Sequence, residues 1–457
     1  MTAPLNVLVY GALDAGSCDV FRAGMYKDHL AGLGVTLRPW TELRVEFPAG
    51  WDNRPQEALD AGAFELDRSA LDWADVIVFR RYYFTSAACL VCDTASRSEA
   101  EMAEHGRVTG HAVRGPLDRL LRPIWRRITE DPAWLGGRAI VYETDDDVLA
   151  TPAWSGHSAI AGLESGLVRS MLERADLVTV STPPLERIAG RHNRAVRLVR
   201  NAIEPDWYPS RAAVDVAGEA AGEMPGAAGA QGGADPSGGP RILFYGVPAR
   251  LRDYAVCRDA IDETARTVTG THRIWLGGDD AAVHAVADEV HGYVRGAPAF
   301  ARSLVEARPD IGVAPVTDEP FNKARSELHW LEYSMAGAAT IASRLMGGGP
   351  YDVIRDGVDG LTARNRTQWR EGLRSLAESP TLRAELAGRA RERVLAEYRA
   401  ADRAIEWADA YRWAAEHAGR GASTGRGAST GRGESTGRGA STGRGASTGH
   451  GASAVLD

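Results

Sequence analysis

The 457-residue sequence is poor in cysteine and lysine, and it has no long hydrophobic run. Four cysteines in a chain of this length supply no disulfide framework, which favours a reducing compartment. No apolar run reaches the roughly 18 residues that a membrane span requires, and no basic stretch followed by an apolar one stands at the N-terminus. Only Lys27 and Lys323 are lysine, so arginine carries nearly all the positive charge. These absences argue against secretion and membrane insertion and favour a cytoplasmic protein.

The overall composition is that of a folded protein with several domains. Hydrophobic residues make up 44% and charged residues 25% of the sequence. The net charge of −8 argues against a general nucleic-acid-binding protein. The length predicts two or three domains, each large enough for a hydrophobic core of its own.

Short apolar runs recur along the chain at intervals that leave room for a helix. Five precede residue 209: Asn6–Gly11, Ala74–Arg81, Arg138–Asp147, Ala175–Thr182 and Ala195–Asn201. Five more follow residue 240: Arg241–Gly246, His272–Gly278, Asp310–Pro315, Ala338–Ser343 and Asp359–Ala363. Strands that alternate with helical segments predict βαβ units and therefore two doubly wound α/β domains. A ligand is expected in the cleft between them, at the carboxyl ends of the strands.

The composition of the sequence also predicts where the domains, the linker and the tail begin and end. Residues 1–208 and 240–395 are predicted to form the two Rossmann-like domains, and residues 396–418 a C-terminal helix. Residues 209–239 consist mainly of small and polar residues that bury too little surface to offset their ordering entropy, which predicts a disordered linker or insert. Residues 419–457 repeat GRGAST with a period of six and predict a disordered low-complexity tail.

The segment Asp318–Ser343, DEPFNKARSELHWLEYSMAGAATIAS, joins a basic loop to a helical pattern. Ser326 is a suitable N-cap, so a helix is predicted to begin near it. The free amides and the dipole at a helix start favour a phosphate, and Lys323 and Arg325 add positive charge there. Glu332, six residues into the helix, can accept hydrogen bonds from ribose hydroxyls. An amphipathic helix with a solvated glutamate explains the same residues without a site, and both interpretations stay open.

The same segment resembles the donor-binding motif of retaining glycosyltransferases of family 4, the glycosyl transferases group 1. A bacterial subgroup has the pattern FN-x-x-KS-x-LK-x-LEY-x-x-x-G, and the residues that fit it are Phe321, Asn322, Arg325, Ser326, Leu328, Leu331, Glu332, Tyr333 and Gly337. The stretches similar to other family motifs are Gly347–Ala363, Tyr142–Pro152, Ala175–Thr182 and Arg200–Tyr208. The resemblance spans most of residues 5–415.

The resemblance implies the GT-B fold, in which two Rossmann-like domains face each other across a cleft. It implies a retaining transferase of hexosyl or related groups in carbohydrate biosynthesis, with a nucleotide diphosphate sugar as co-substrate and no other cofactor. The second domain would hold the donor, and the first an acceptor such as a lipid-linked sugar or a polysaccharide. Lys323 and Arg325 would stabilise the leaving diphosphate during catalysis. The remaining motif residues that would bind the donor are Phe321, Asn322, Ser326 and Glu332.

Two positions depart from the family pattern. Many members carry an additional glutamate, separated by seven intervening residues from the one that matches Glu332, and the corresponding residue here is Ala324. The transferred sugar therefore does not follow from the motif. Many members also place an arginine directly after the glycine that ends the first strand of the second domain, where this chain has Val247. The resemblance passes that diphosphate-binding role to Arg250, with Arg252 equally near in sequence.

An acidic triplet, Asp145, Asp146 and Asp147, ends a strand of the first domain. Such carboxylates can bind Mg²⁺ or Mn²⁺. Alternatively, Asp145 or Asp146 faces the cleft and hydrogen-bonds or deprotonates an acceptor hydroxyl. They can also be cap residues and solvated charges of the next turn. The two-domain layout favours the second interpretation over the metal. Arg22, expected on the helix after the first strand, either faces the diphosphate across the cleft or lies at the surface.

Two further patterns in the first domain carry alternative interpretations. Cys89, Cys92, His105 and His111 have zinc-finger spacing, but Ser96 stands where the buried phenylalanine of a finger belongs, which favours chance. Residues 114–128 form an apolar stripe among arginines. Core packing and peripheral contact with an anionic membrane both explain that stripe. The alternative to an enzyme is a non-catalytic nucleotide-sugar- or glycan-binding protein with the same fold.

Overall fold

The structure is a computed structural model that describes residues 3–10, 13, 17–40, 45–46, 61, 63, 65–66, 69–80, 136–155, 158–214 and 238–418. The zinc-finger spacing, the stripe at 114–128, most of the expected linker and the GRGAST tail lie outside these residues. In the part of the chain that is described, no helix is both long and apolar enough to cross a membrane.

The first domain contains a six-stranded parallel sheet. Its strands are β1 (Leu5–Tyr10), β2 (Val35–Trp40), β5 (Val76–Arg80), β6 (Ala139–Thr144), β7 (Leu177–Val180) and β8 (Val196–Leu198). The order across the sheet is β2-β1-β5-β6-β7-β8. A separate antiparallel pair consists of β3 (Val45–Glu46) and β4 (Glu65–Leu66). The described helices are α1 (Ser17–Arg22), α2 (Lys27–Gly32), α3 (Ser69–Trp73), α4 (Ser158–Arg174) and α5 (Pro183–Ala189).

The second domain repeats this architecture. Its strands are β9 (Arg241–Tyr245), β10 (His272–Leu276), β11 (Glu289–His291), β12 (Ile311–Ala314), β13 (Ala339–Ser343) and β14 (Leu361–Ala363). They are parallel and follow the order β11-β10-β9-β12-β13-β14. The order reverses between β9 and β12, so the two strands diverge into helices on opposite faces and leave a crevice at their carboxyl ends.

The helices of the second domain end in two long ones. The helices are α6 (Leu251–Tyr254), α7 (Arg258–Thr267), α8 (Ala281–His284), α9 (Ala297–Glu306), α10 (Pro320–Lys323), α11 (Leu328–Met335), α12 (Arg366–Glu378), α13 (Pro380–Glu397) and α14 (Ala400–His417). Helix α14 returns to the first domain, where the ring of Trp407 lies 5.9 Å from that of Tyr26. The segment that ends the first domain is hydrogen-bonded to the segment that precedes α14. The Ile203 amide donates to the Tyr398 carbonyl at 2.7 Å.

Alternating side chains of the central strands explain why both sheets are covered on two faces. In β1, Val7 and Val9 belong to one hydrophobic cluster, while Leu8 belongs to another on the opposite face. This period of two, with both faces buried, is typical of a parallel sheet. The cluster that contains Val7 also contains Leu243 of β9, so one apolar core extends through both domains.

The ten strands expected from the sequence are all present, and the predicted pair of doubly wound domains is confirmed. The short pair β3 and β4 was not expected, and neither were β2 and β11 in the six-stranded sheets. Strands β2 and β11 are edge strands, where one side of the ladder is unpaired. Strand β2 alternates buried and exposed residues and contains Pro39, and β11 is three half-buried residues, so neither forms the continuous apolar run of a central strand.

Candidate functional site

A cavity of about 430 Å³ lies between the two domains at the carboxyl ends of their strands. This volume falls within the range of small-molecule sites. The first domain contributes Phe21, Asp145, Asp146 and Asn201 to its lining. The second domain contributes the end of β9, the loop before α9 and the first turns of α11. The cavity therefore lies at the reversal of strand order in the second sheet, where ligands bind in folds of this kind.

The start of α11 opens onto this cavity, as expected, although the helix begins at Leu328 and not near Ser326. Arg325 and Ser326 precede it and line the cavity. Within the described ranges, no carboxylate lies within ion-pairing distance of Arg325. A cavity wall that joins a helix N-terminus to an arginine without an acidic partner favours an anion.

A second guanidinium, that of Arg250, lines the same cavity. Its Nη1 lies 2.8 Å from Oδ2 of Asp253, which holds the side chain in place. Burial, together with the charge of nearby Arg325, lowers the pKa of Arg250 to about 10. Gly246 makes room for it, because a Cβ at this residue, whose φ is 156°, would lie 3.0 Å from Cγ of Arg250. Two neighbouring guanidinium groups repel each other, and an anion between them would relieve this repulsion.

Glu332 lies one turn further along α11 and is buried at the cavity wall. Burial raises the pKa of its carboxyl group to about 8, and the hydroxyl of Tyr245 donates a hydrogen bond to its Oε2. A buried carboxyl group with a single hydrogen-bond donor beside a cavity is a typical feature of a functional site. No described residue donates a hydrogen bond to its other oxygen, which leaves that oxygen for a ligand hydroxyl.

Asp145 and Asp146 face Arg250 and Glu332 from the first domain across the cavity. They follow β6 in a turn in which the Thr144 hydroxyl donates to the Asp146 carbonyl at 2.7 Å. Asp147 does not line the cavity; it is buried, and this burial raises the pKa of its carboxyl group. Among the side chains that the structure describes, no group of three or more His, Cys, Asp or Glu residues is arranged to hold a metal ion.

The cavity thus brings together six of the predicted site residues: Asp145, Asp146, Arg250, Arg325, Ser326 and Glu332. The structure places the other five elsewhere in the fold. Lys323 lies outside the cavity lining, and its Nζ is 2.6 Å from Oδ1 of Asp318. Arg252 is also outside the lining and forms an ion pair with Glu319. Both cations are therefore neutralised by carboxylates of their own domain.

Three further predicted residues are buried outside the cavity lining: Asn322, Phe321 and Arg22. Asn322 is fully buried and donates hydrogen bonds to Asp253 at 3.2 Å and to the Thr317 hydroxyl at 2.8 Å. Phe321 is buried outside the lining. Arg22 lies neither at the surface nor at the cavity, because its Nε is 2.6 Å from Oε1 of Glu143 and it is fully buried.

Arg22 is nevertheless connected to the cavity by hydrogen bonds through Asn201. Its Nη1 donates to Oδ1 of Asn201 at 3.0 Å, and Nδ2 of Asn201 donates to the Ser326 hydroxyl at 2.8 Å. Arg200 reinforces this connection, since its Nη1 lies 3.3 Å from Oε1 of the buried Glu327, directly before α11. The first domain thus holds the loop that precedes the N-terminus of α11.

Trp154 is a further contact between the domains. Its Nε1 donates to Oε2 of Glu319 at 3.0 Å, and its ring lies 5.8 Å from the guanidinium carbon of Arg250 and 5.7 Å from that of Arg252. Neither Trp154 nor Asn201 was predicted as a site residue. Their positions depend on how the domains meet, which no local pattern encodes, although Asn201 falls within the family-like stretch Arg200–Tyr208.

Ala324, where many relatives have a glutamate, is buried against the first domain. It belongs to a hydrophobic cluster whose other members come from the first domain, and its carbonyl accepts a hydrogen bond from Thr182 Oγ1 at 2.8 Å. A glutamate in this position would bring an unpaired charge into that cluster. The local packing thus fits alanine.

Comparisons with known proteins agree with this architecture. Residues 265–409 match a family model described as glycosyl transferase-like. The fold is similar to that of sucrose-phosphate synthase from Thermosynechococcus elongatus, at a TM-score of 0.52 and 15% identity over 89% of this chain and 98% of that one. It is also similar to the catalytic domain of starch synthase IV from Arabidopsis thaliana bound to ADP and acarbose, at a TM-score of 0.52 and 12% identity over 91% of this chain and 100% of that one. A search of curated protein sequences finds no match.

These similarities confirm the predicted GT-B fold and the predicted resemblance to glycosyltransferases. Membership of family 4 in particular stays a prediction.

Proposed function

We propose that this protein is a retaining glycosyltransferase that moves a sugar from a nucleotide diphosphate donor to an acceptor hydroxyl without a metal ion. The observation that carries the proposal is the pair Arg250 and Arg325 at the N-terminus of α11, facing two aspartates across an interdomain cavity. Transfer of a sugar from a diphosphate leaving group to a hydroxyl requires positive charge beside the leaving group and a base beside the hydroxyl. The two walls of the cavity would supply these.

The donor would bind along the second domain. The diphosphate would lie against Arg250, Arg325 and the first amides of α11, where the helix dipole also favours negative charge. Glu332 would accept hydrogen bonds from the ribose. Its pKa of about 8 means that the carboxyl group is mostly protonated at neutral pH in the empty cavity. Hydroxyl donors of the ribose would favour the ionised form, because a carboxylate accepts hydrogen bonds more strongly.

The reaction would break the bond between the anomeric carbon and the diphosphate oxygen. Positive charge then develops on the sugar and negative charge on the diphosphate, which Arg250 and Arg325 would stabilise. The acceptor oxygen forms the new bond on the face from which the diphosphate departs. Asp145 or Asp146 would accept a hydrogen bond from the acceptor hydroxyl and take up its proton.

Metal independence would follow from the positive charge that the chain itself provides. Two guanidinium groups and a helix N-terminus would supply the stabilisation that a divalent cation gives to a diphosphate leaving group in other enzymes. We expect turnover to be unchanged by EDTA. A requirement for added Mg²⁺ or Mn²⁺ would contradict this part of the proposal.

A thermal-shift screen with UDP-, GDP-, dTDP- and ADP-sugars tests donor binding, since a ligand that binds only the folded state raises the melting temperature. The stabilising donor is then incubated with candidate acceptors such as a polysaccharide and lipid-linked sugars, and release of nucleoside diphosphate is measured. We expect one nucleotide class to stabilise the protein and to be consumed. No stabilisation by any of the four classes would refute the proposal.

The alternative is a non-catalytic nucleotide-sugar- or glycan-binding protein with the same fold. The observation that favours it is Ala324, which replaces the additional glutamate of many relatives and faces the first domain. Binding of a donor with neither transfer nor slow hydrolysis of the donor would favour this alternative. Release of nucleoside diphosphate that depends on Arg325 would favour the enzyme.

A further inference from the structure

His329 occupies the second position of α11 and lines the cavity. Its ring meets that of Tyr245 edge to face, with the ring centroids 4.1 Å apart, and the ring of Phe244 lies 6.5 Å away. Its Nδ1 atom is buried and has no hydrogen-bond partner among the residues that the structure describes. The residue as a whole is partly exposed at the cavity wall. An imidazole that lines a cavity beside two guanidinium groups is placed to contact an anion that they hold.

The charged and titratable groups around this imidazole come from several elements. Arg325 precedes α11, and Arg250 ends a one-turn 3-10 helix, Pro248–Arg250, which follows β9. The remaining groups that face the ring or the cavity are Glu332 and Tyr333 of α11, Tyr245 of β9, Tyr351, Tyr293 and Arg295 of the loop before α9, and Asp145 and Asp146 of the first domain. Of these groups, the two arginines are the ones whose charges act on the pKa of the ring. In the empty site they disfavour a positive charge on the imidazole.

We propose that His329 is a third ligand of the donor diphosphate and that it takes up a proton from solvent when the diphosphate binds. The inference rests on the proposed function, because it concerns the same anion site. The dianionic ligand would neutralise the field of Arg250 and Arg325, and the imidazolium would donate a charge-assisted hydrogen bond to a phosphate oxygen.

The direction of proton movement follows from the surroundings of the ring. Burial, and then the charges of Arg325 and Arg250, hold the pKa of His329 well below its usual range in the empty protein. The ring is therefore neutral at pH 7 without ligand. Diphosphate binding reverses the sign of the local field, which raises the pKa of the ring and stabilises its charged form.

The experiment is calorimetry of wild type, H329Q and H329K with inorganic pyrophosphate between pH 5.5 and 8. Buffers of different ionisation enthalpy report the protons taken up on binding, and H329Q corrects for the titration of pyrophosphate itself. We expect wild type to take up more protons than H329Q at pH 6 and to bind about tenfold more tightly there. H329K has an intrinsic pKa of about 10, so it should already be charged at pH 6 before the ligand binds, and it should bind tightly there with less proton uptake than wild type.

Equal proton uptake and equal pH dependence in wild type and H329Q would overturn the inference. Circular dichroism melting of each variant establishes that it is folded. R325A serves as the control for the anion site, since it should weaken pyrophosphate binding at all pH values. If R325A weakens binding and H329Q does not alter proton uptake, His329 is no diphosphate ligand and the proposed function stands. If wild type binds neither pyrophosphate nor any nucleoside diphosphate, the proposed function fails as well.

Discussion

The buried carboxyl group of Glu332 makes the folding stability depend on pH in a direction opposite to that of an ion-paired glutamate, whose pKa falls on folding. Its pKa rises from 4.5 to about 8 on folding because burial disfavours the charged form. Between these values the folded state binds a proton that the unfolded state has released. The free energy of unfolding therefore falls by about 1.4 kcal/mol for each pH unit. Between pH 5 and 8 the loss amounts to about 4 kcal/mol.

The substitution E332Q removes this titration and keeps the shape of the side chain, including an oxygen that can accept the hydrogen bond from Tyr245. We expect the variant to unfold at nearly the same free energy as wild type near pH 4.5 and to become progressively more stable than wild type up to about pH 8. The same variant should bind a nucleoside diphosphate more weakly. Higher stability with poorer binding is typical of a residue retained for function.

Urea titrations at five pH values between 5 and 9, followed by circular dichroism, measure the effect. E392Q is the matched control, because Glu392 is exposed on α13 and should show no such trend. A difference between wild type and E332Q that stays constant with pH would refute the reasoning. So would a wild type that gains stability relative to E332Q as the pH rises.

Three other substitutions separate the roles of the cavity residues. R325A should weaken nucleoside diphosphate binding by roughly 10- to 100-fold in calorimetry, because it removes a charged ligand. K323A is the control, since Lys323 lies outside the cavity lining, and it should change the affinity less than about threefold. Equal losses of affinity in the two variants would contradict the assignment. D146N should lower turnover by roughly 10²-fold or more while donor affinity stays unchanged, and a parallel loss of donor affinity would speak against an acceptor role. Donor binding should change the intrinsic fluorescence of wild type and of W73F but much less that of W154F, since Trp154 of the first domain hydrogen-bonds to Glu319 of the second. An unaltered response in W154F would exclude Trp154 as a reporter of domain closure.

The sequence was sufficient for the fold because central parallel strands carry a strong local signal. Residues 5–10 and 241–245 are nearly continuous apolar runs, and both are central strands covered on two faces. Strand β2 at the edge of the first sheet lacks this signal, because buried and exposed side chains alternate along it. Strand β2, with Pro39 and exposed Arg38, therefore escaped detection.

The site was only partly predictable, for a reason that concerns charge pairing. A local motif places Lys323 and Arg325 side by side, two residues apart, and does not distinguish between them. In the folded chain Asp318 neutralises Lys323, whereas Arg325 turns to the cavity. Likewise, Arg22 was expected near the diphosphate or at the surface, and its buried partner Glu143 is 121 residues away in the sequence. Such distant partners are set by the tertiary structure.

The most direct measurement is a crystal structure of the protein with the nucleoside diphosphate that the thermal-shift screen selects. The account predicts that the diphosphate lies at the N-terminus of α11 within hydrogen-bond distance of Arg250 and Arg325, and that the ribose hydroxyls contact Glu332. A nucleotide bound elsewhere, with the interdomain cavity empty, would contradict it.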